Sequence, residues 1–283
     1  RPGGTDVRRL VVTADDLGRD PASTDIVLDL AAAGHVTATT LIPVAPGARD
    51  AARRARAAGV EPHLHLTLTG ERGLPPWRPL SGGASLAGPD GALPADPHAV
   101  GSRAEPGDVV AELDAQLAWA HEAGLRPAVA DSHAGTLYGL HGRSFLAETL
   151  AWCARHGLAF RLPADPAPYL GGPPPAPLAE AHARAVALAG SLGVALPATV
   201  WTNRRSAADL GSYETLRADL VARLDDLPEG VSELFLHPST TGAPGLDDDA
   251  GTVRAWEARL LRDPAWHAAL DRAGVGLARG WAS

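Results

Sequence analysis

Leu10-Val11-Val12-Thr13-Ala14-Asp15-Asp16-Leu17-Gly18 is the stretch that decides how this chain reads. Its first half is apolar and partly β-branched, as a buried strand requires, and it stops on two adjacent carboxylates and a glycine. Parallel α/β sheets carry their chemistry at the carboxyl ends of their strands, so two acids at that edge mark a place where a site forms. Carboxylates this close repel. The usual resolution is that a cation holds one of them ionised while the other keeps a separate task.

Working outward, the same arrangement recurs. His63-Leu64-His65-Leu66-Thr67-Leu68-Thr69 alternates strictly, with the leucines on one face and the histidines and threonines on the other. Asp131-Ser132-His133 closes an apolar run, and Glu233-Leu234-Phe235-Leu236-His237-Pro238 ends another strand on a histidine. Asp16, His65 and His133, from three different strands, make a mixed carboxylate–imidazole set with open positions for water and substrate. His63 shares a face with His65, so geometry alone admits either as the ligand.

Strand-like and helix-like segments alternate along the chain. Strands are expected at Leu10–Thr13, Thr37–Val44, His63–Thr69, Pro127–Asp131, Ala159–Leu162, Ala198–Thr202 and Glu233–His237, with a short last one near Val275–Ala278. Helices are expected at Ser23–Ala33, Ala48–Ala58, Pro106–Ala123, Gly142–His156, Tyr213–Leu224 and Thr252–Ala273, two of them stopped by Gly34 and Gly59. This rhythm predicts an α/β fold: an irregular (β/α) barrel, seven- or eight-stranded, forming a single domain over residues 1–283. Two Gly/Pro-rich stretches break it, at about 70–105 and 163–177, and read as lids, dimer contacts or disorder.

Composition removes several classes. With 283 residues and 45% hydrophobic content, the chain can bury one large core. A net charge of −8 argues against nucleic acid. No apolar run approaches the roughly 20 residues that span a bilayer. The chain runs from Arg1 almost directly into its first strand, so no leader peptide is expected. Cys153 is the only cysteine, which excludes an internal disulfide, fits a reducing cytoplasm, and reads as a buried, inert thiol. All 25 basic residues are arginine, so Schiff-base chemistry and a P-loop lysine are both unavailable. Asp247-Asp248-Asp249 lacks the ligand spacing of a calcium loop and reads as a solvated acidic turn.

Taken together and in order, Thr13–Gly18, Leu64–Thr69, Asp131-Ser132-His133 and Leu236-His237-Pro238 resemble the YdjC-type (ChbG-like) carbohydrate deacetylases. The resemblance runs from about Leu10 to the C-terminus. It implies an irregular (β/α) barrel related to the polysaccharide deacetylases, one divalent metal ion, and removal of an N-acetyl group from an amino sugar. It implies Asp16, His65 and His133 as metal ligands, selecting His65 over His63, and Asp15 with His237 as the acid–base residues. Phe160-Arg161-Leu162-Pro163 also resembles a family segment, with Arg161 facing the site. There is one departure. Better-known members follow Asp-Ser-His with further histidines, where this chain has Ala134-Gly135-Thr136-Leu137-Tyr138-Gly139. A chitobiose-like preference is therefore not carried over.

Amide hydrolysis needs an activated water, a stabilised oxyanion and a proton for the leaving amine. Asp15 is the candidate base and His237 the candidate proton donor, with Arg161 stabilising charge near Asp15 or else pairing a surface acid. Trp77, on the long loop, and Tyr138 are candidates for stacking on a sugar. Asp131 lies on the face of His133 and is grouped with them at the substrate, where it orients a ligand or the base, or simply terminates the strand. Imidazole ligands favour zinc, while a carboxylate and open water positions tolerate magnesium. The rival readings are a phosphoesterase or amidase on the same Asp/His/His platform, and a non-catalytic sugar-binding protein. The expected partner is a small carbohydrate, with no nucleic acid and no membrane; the long loops are compatible with a homodimer.

Overall fold

The structure is a computed structural model that describes residues 8–281. In chain order its elements are β1 (Arg8–Leu17), α1 (Pro21–Ala32), β2 (Ala38–Leu41), α2 (Ala48–Ala57), β3 (His63–Leu66), α3 (Pro97–Arg103), α4 (Pro106–Glu122), β4 (Val129–Ser132), α5 (Leu146–His156), β5 (Ala159–Phe160), α6 (Ala167–Leu170), α7 (Ala176–Leu192), β6 (Val200–Trp201), α8 (Ala207–Leu210), α9 (Tyr213–Ala222), β7 (Gly230–Leu236), α10 (Asp248–Arg262), α11 (Pro264–Arg272) and β8 (Gly276–Leu277). The strands lie in the order β5-β4-β3-β2-β1-β7-β6, every pairing is parallel, and β8 adds to β1. This is the curled parallel sheet of a (β/α) barrel.

β1 sits at the centre of the sheet, and Leu10 through Leu17 are all buried. A parallel strand covered on both faces has to be apolar on both, which is why its first residues read as a continuous run. The ring is not closed by a ladder between β5 and β6, each two residues long. Irregular backbone stitches that seam instead: Ala164 N donates to Pro197 O at 2.9 Å and Asp165 N to Ala198 O at 3.0 Å. Gly18 lets the chain turn off β1. It has φ +92°, and a Cβ there would press on Ala48 at the start of α2.

Four departures from the sequence reading have physical causes. The helix expected over 252–273 is two helices, because Asp263 caps a new one and Pro264 occupies its first turn. The helix expected from Gly142 begins at Leu146, since Gly142 at φ +131° packs against the backbone of Gly101. Residues 70–105 are anchored to the core at several points rather than free along their length. Trp77, Leu86, Leu93 and Val100 are buried, α3 lies within the stretch, and buried Glu112 accepts the backbone N–H groups of Leu80 and Ser81 at 3.0 and 2.8 Å. Finally, α7 was not expected at all. Only Ala185 and Ala189 of its residues are buried, so it has no broad apolar stripe to announce it. Among the described residues, no helix is long and apolar enough to cross a membrane.

Candidate active site

Asp15 and Asp16 are consecutive in a strand and ought to point to opposite faces. The register of β1 against β2 shifts between Ala14 and Leu17, and Asp16 takes φ +72°. That bulge turns both carboxylates toward the strand ends, and Asp tolerates the left-handed conformation better than most residues. The strain falls at the residue that the site needs re-aimed.

Asp16 Oδ1 lies 3.5 Å from His65 Nε2 and 3.5 Å from His133 Nδ1, and the two ring nitrogens are 3.2 Å apart. Metal bonds of about 2.0–2.2 Å in a tetrahedral site separate neighbouring ligand atoms by roughly 3.3–3.6 Å, so the three donors fit one small divalent ion. Asp16 Oδ1 is also a buried oxygen with no hydrogen-bond partner among the described residues, as expected of an atom aimed at a cation. Each imidazole is oriented from behind. His65 Nδ1 donates to Asp131 Oδ1 at 2.8 Å, and His133 Nε2 faces Glu71 Oε1 at 3.2 Å. These contacts place the ring protons on the far nitrogens and leave a lone pair on the near ones. Burial pushes the His65 ring down, but the Asp131 charge, the hydrogen bond to Asp131 and the nearby Asp16 carboxylate outweigh it and lift its pKa to about 10. A cation at the near nitrogen takes the place of that proton.

Asp15 is built differently. Arg161 grips it with Nη1 to Oδ2 at 2.7 Å and Nη2 to Oδ1 at 3.0 Å, and Thr40 donates to Oδ1 at 2.9 Å. Burial works to raise the Asp15 pKa, yet the charges of Arg161, His65 and His237 leave it below the ordinary carboxylate value. Asp131 and Glu233 share the same guanidinium, so three carboxylates surround one arginine. The local excess of negative charge is a further reason for a cation here. Asp16 is likewise held well below the usual range; burial opposes this, and the Arg254 charge with the two histidine contacts prevails. His237 stands on the opposite wall, its Nε2 4.0 Å from Asp15 Oδ2. Burial lowers its pKa, which makes the imidazolium scarcer at neutral pH and a stronger acid when formed.

Asp15, Asp16, His65, His133, Arg161 and His237 therefore meet in one place. Two other expectations change. Trp77 is 1% exposed and packs on the His133 ring with centroids 5.8 Å apart, so it backs a ligand rather than stacking on sugar. Asp131 is buried behind His65, hydrogen-bonded to it and ion-paired with Arg161, and offers no face to a substrate. Tyr138 lines the cleft, where a stacking ring is expected, and its hydroxyl donates to Arg161 O and steadies that strand end. His63 points away, bonded to Arg279 O at 3.1 Å beside Trp281, and burial drops its pKa to about 4.

Several residues escaped the sequence reading. Glu233 is fully buried, accepts from Thr13 at 2.6 Å and from Arg161, and burial pushes its pKa up to about 7. Its signal was available: a lone acid inside an apolar strand. Arg254 donates to Asp16 Oδ2 at 2.7 Å, and Glu257, one turn on, accepts the backbone N–H of His237 at 2.7 Å. That pair sits on the buried side of a charged helix, where nothing in the pattern singles it out. Glu71 and Arg19 are joined at 3.1 Å across the chain, a contact no local motif encodes.

Fold and site together define a parallel (β/α)-barrel protein with an Asp/His/His centre beside an arginine-held carboxylate. The profile of the YdjC-like protein family matches residues 9–272, and the chain belongs to that family. A human protein named carbohydrate deacetylase is 35% identical over 131 residues, 44% of this chain and 40% of that protein. The matched stretch thus spans well under half of the human relative. A solved structure from Enterococcus faecalis V583, described as a candidate cellobiose-phosphate cleavage protein, superposes with a TM-score of 0.74 at 24% identity. It covers 96% of this chain and 97% of its own. At that identity the likeness concerns the fold.

Proposed function

We propose that this protein is a metal-dependent hydrolase that removes the N-acetyl group from an amino sugar or glycoconjugate. One observation carries the reading: Asp16 Oδ1, His65 Nε2 and His133 Nδ1 converge within 3.5 Å, with the Arg161-held Asp15 and His237 beside them. The name of the human relative supports the choice of substrate. Two imidazoles and one carboxylate make a donor set better suited to zinc than to magnesium.

When bound, the divalent ion supplies Lewis acidity toward the acetyl oxygen and acidifies a water. Asp15 takes the proton of the attacking water. Its Oδ2 has one hydrogen-bond partner fewer than Oδ1 and faces His237 at 4.0 Å. Arg161 keeps that carboxylate ionised, trading some basicity for being ready at any working pH. His237 gives a proton to the amine nitrogen as the carbon–nitrogen bond breaks, so the products leave as acetate and a free amino sugar. Glu257 fixes the backbone of His237, and Asp131 and Glu71 keep the two ligand imidazoles from rotating.

Acetate release from a panel of N-acetylated mono-, di- and oligosaccharides tests the proposal. Zinc-loaded protein should release acetate and chelated protein should not. Phosphate release from phosphate esters, with no acetate from any sugar, would move the site to a phosphoesterase reading.

A further inference from the structure

The candidate active site opens into one continuous cleft of about 1050 Å³. That is at the top of the ~300–1,000 Å³ usual for small-molecule sites, and more than one sugar ring occupies. Asp15, His65 and His237 line one end. The rest runs between the 134–147 segment, α6 and α7, where Leu140, Leu146, Leu170, Leu178, Ala181 and Leu188 form the walls. A second sugar in this arm would place its hydroxyl groups against aliphatic carbon, at a cost in lost hydrogen bonds to water. Of the polar groups beside the arm, Arg184 is exposed to solvent, His182 bonds Pro163 O at 2.8 Å, and Arg204 bonds Tyr169 O at 3.1 Å while stacking on its ring. Leu140 and Leu178 are 47% and 43% exposed, so the arm presents uncovered apolar surface leading straight from the catalytic end.

The direction of the arm says which part of a substrate enters it. From His237, the ring contacts pass to Phe235 at 5.6 Å and on to Tyr169 at 6.4 Å, next to Leu170 in the arm. His237 is the donor to the leaving amine, so the atoms beyond that nitrogen, the sugar and whatever it carries, lie on this side. On the other side Asp16, His133 and Trp77 are buried, and none of the three lines the cleft.

We propose that the substrate is an N-acetylated amino sugar bearing an aliphatic aglycone, with the sugar at the catalytic end and the alkyl chain in the leucine-lined arm. This rests on the deacetylase reading, and its test separates the two. N-acetylglucosamine glycosides with methyl, butyl, hexyl and octyl aglycones, all kept below micelle formation, are compared for acetate release and for binding by calorimetry. Binding and kcat/KM should both improve about two- to fourfold per added methylene, the upper figure corresponding to full burial. Leu178→Asp and, separately, Leu140→Asp should flatten that slope, lowering the octyl-to-methyl ratio at least tenfold. Acetate release independent of chain length overturns the apolar arm and leaves the deacetylase intact. No acetate from any glycoside, with binding that still tightens as the chain lengthens, keeps the arm and removes the reaction. An N-hexanoyl amino sugar that binds more tightly than the hexyl glycoside would also overturn the assignment, because the arm would then hold the acyl group.

Discussion

The two sides of the barrel are built to different standards. From β7 through β1 to β4 the strands pair in parallel ladders broken only by the β1 bulge, and their ends carry Asp15, Asp16, His65, His133 and His237. Behind these residues stand Arg161, Asp131 and Glu233, all buried, and the half-buried Arg254 and Glu71, each paired with a site residue or its neighbour. At the β5/β6 seam the strands shrink to two residues each, a few backbone bonds join them, and α7 rests on two buried alanines. The first side holds its reacting groups through several bonds each, the positioning that hydrolysis needs. The second is looser and apolar, where a ligand can be accommodated without disturbing the chemistry.

The largest effects should come from the two neighbouring aspartates, and they should fail differently. Asp16→Asn should abolish tight metal binding and with it activity, as metal content after dialysis and acetate release will show. Asp15→Asn should keep the metal yet lose about 10²- to 10⁴-fold in kcat, the usual contribution of a general base. Equal loss of metal in both would mean that the pair acts as one ligand set, and the division of labour drawn here would be wrong. One step back from the metal, Asp131→Asn removes the charge that orients His65. Metal affinity should fall about 10- to 100-fold, measured by competition with a chelator of known affinity.

That asymmetry also explains what could be read from the sequence. The strand-end motifs are local: Asp15-Asp16, His65, His133 and His237 each close an apolar run, so their number and order could be seen without coordinates. The β1 bulge is invisible in the letters, although it is what brings both aspartates to one face. Groups supporting the site join positions distant in sequence, such as Arg254 with Asp16 and Glu71 with His133, and no periodicity announces them. Trp77 misled for the opposite reason: a tryptophan among prolines and glycines reads as exposed, and its neighbours are, whereas its own ring packs into the core. On the seam side α7 was missed because helices declare themselves through the face they bury, and this one buries little.

If the seam is the weaker half, Cys153 should report it. The thiol lies in α5, which packs against both α7 and β5, and burial pushes its pKa up to about 12. At pH 8 a disulfide reagent should therefore react only through opening of the structure. Opening confined to α5–α7 exposes less surface than unfolding, so the labelling rate should rise with urea about half as steeply as global unfolding does. A slope equal to the global one would show that both halves open together.

The smallest effect belongs to a residue outside both regions. Asp263 caps α11 through Ala265 N at 2.8 Å and accepts from Tyr213 and from Arg217 Nη1, the latter at 3.0 Å. The Tyr213 hydrogen bond, followed by that of the Ala265 N–H, holds its pKa down at about 2. A carboxyl whose folded pKa is depressed stabilises above its unfolded pKa, about 3.9, and loses that contribution as pH falls through the folded value. Asp263→Ala should cost about 1 kcal/mol at pH 7, the typical worth of a lost helix cap, with metal content and activity unchanged. The difference from wild type should then shrink between pH 4 and 2, as denaturant midpoints across that range will show. A gap that stays constant down to pH 2 would assign the stabilisation to packing around Tyr213 rather than to the ionised cap.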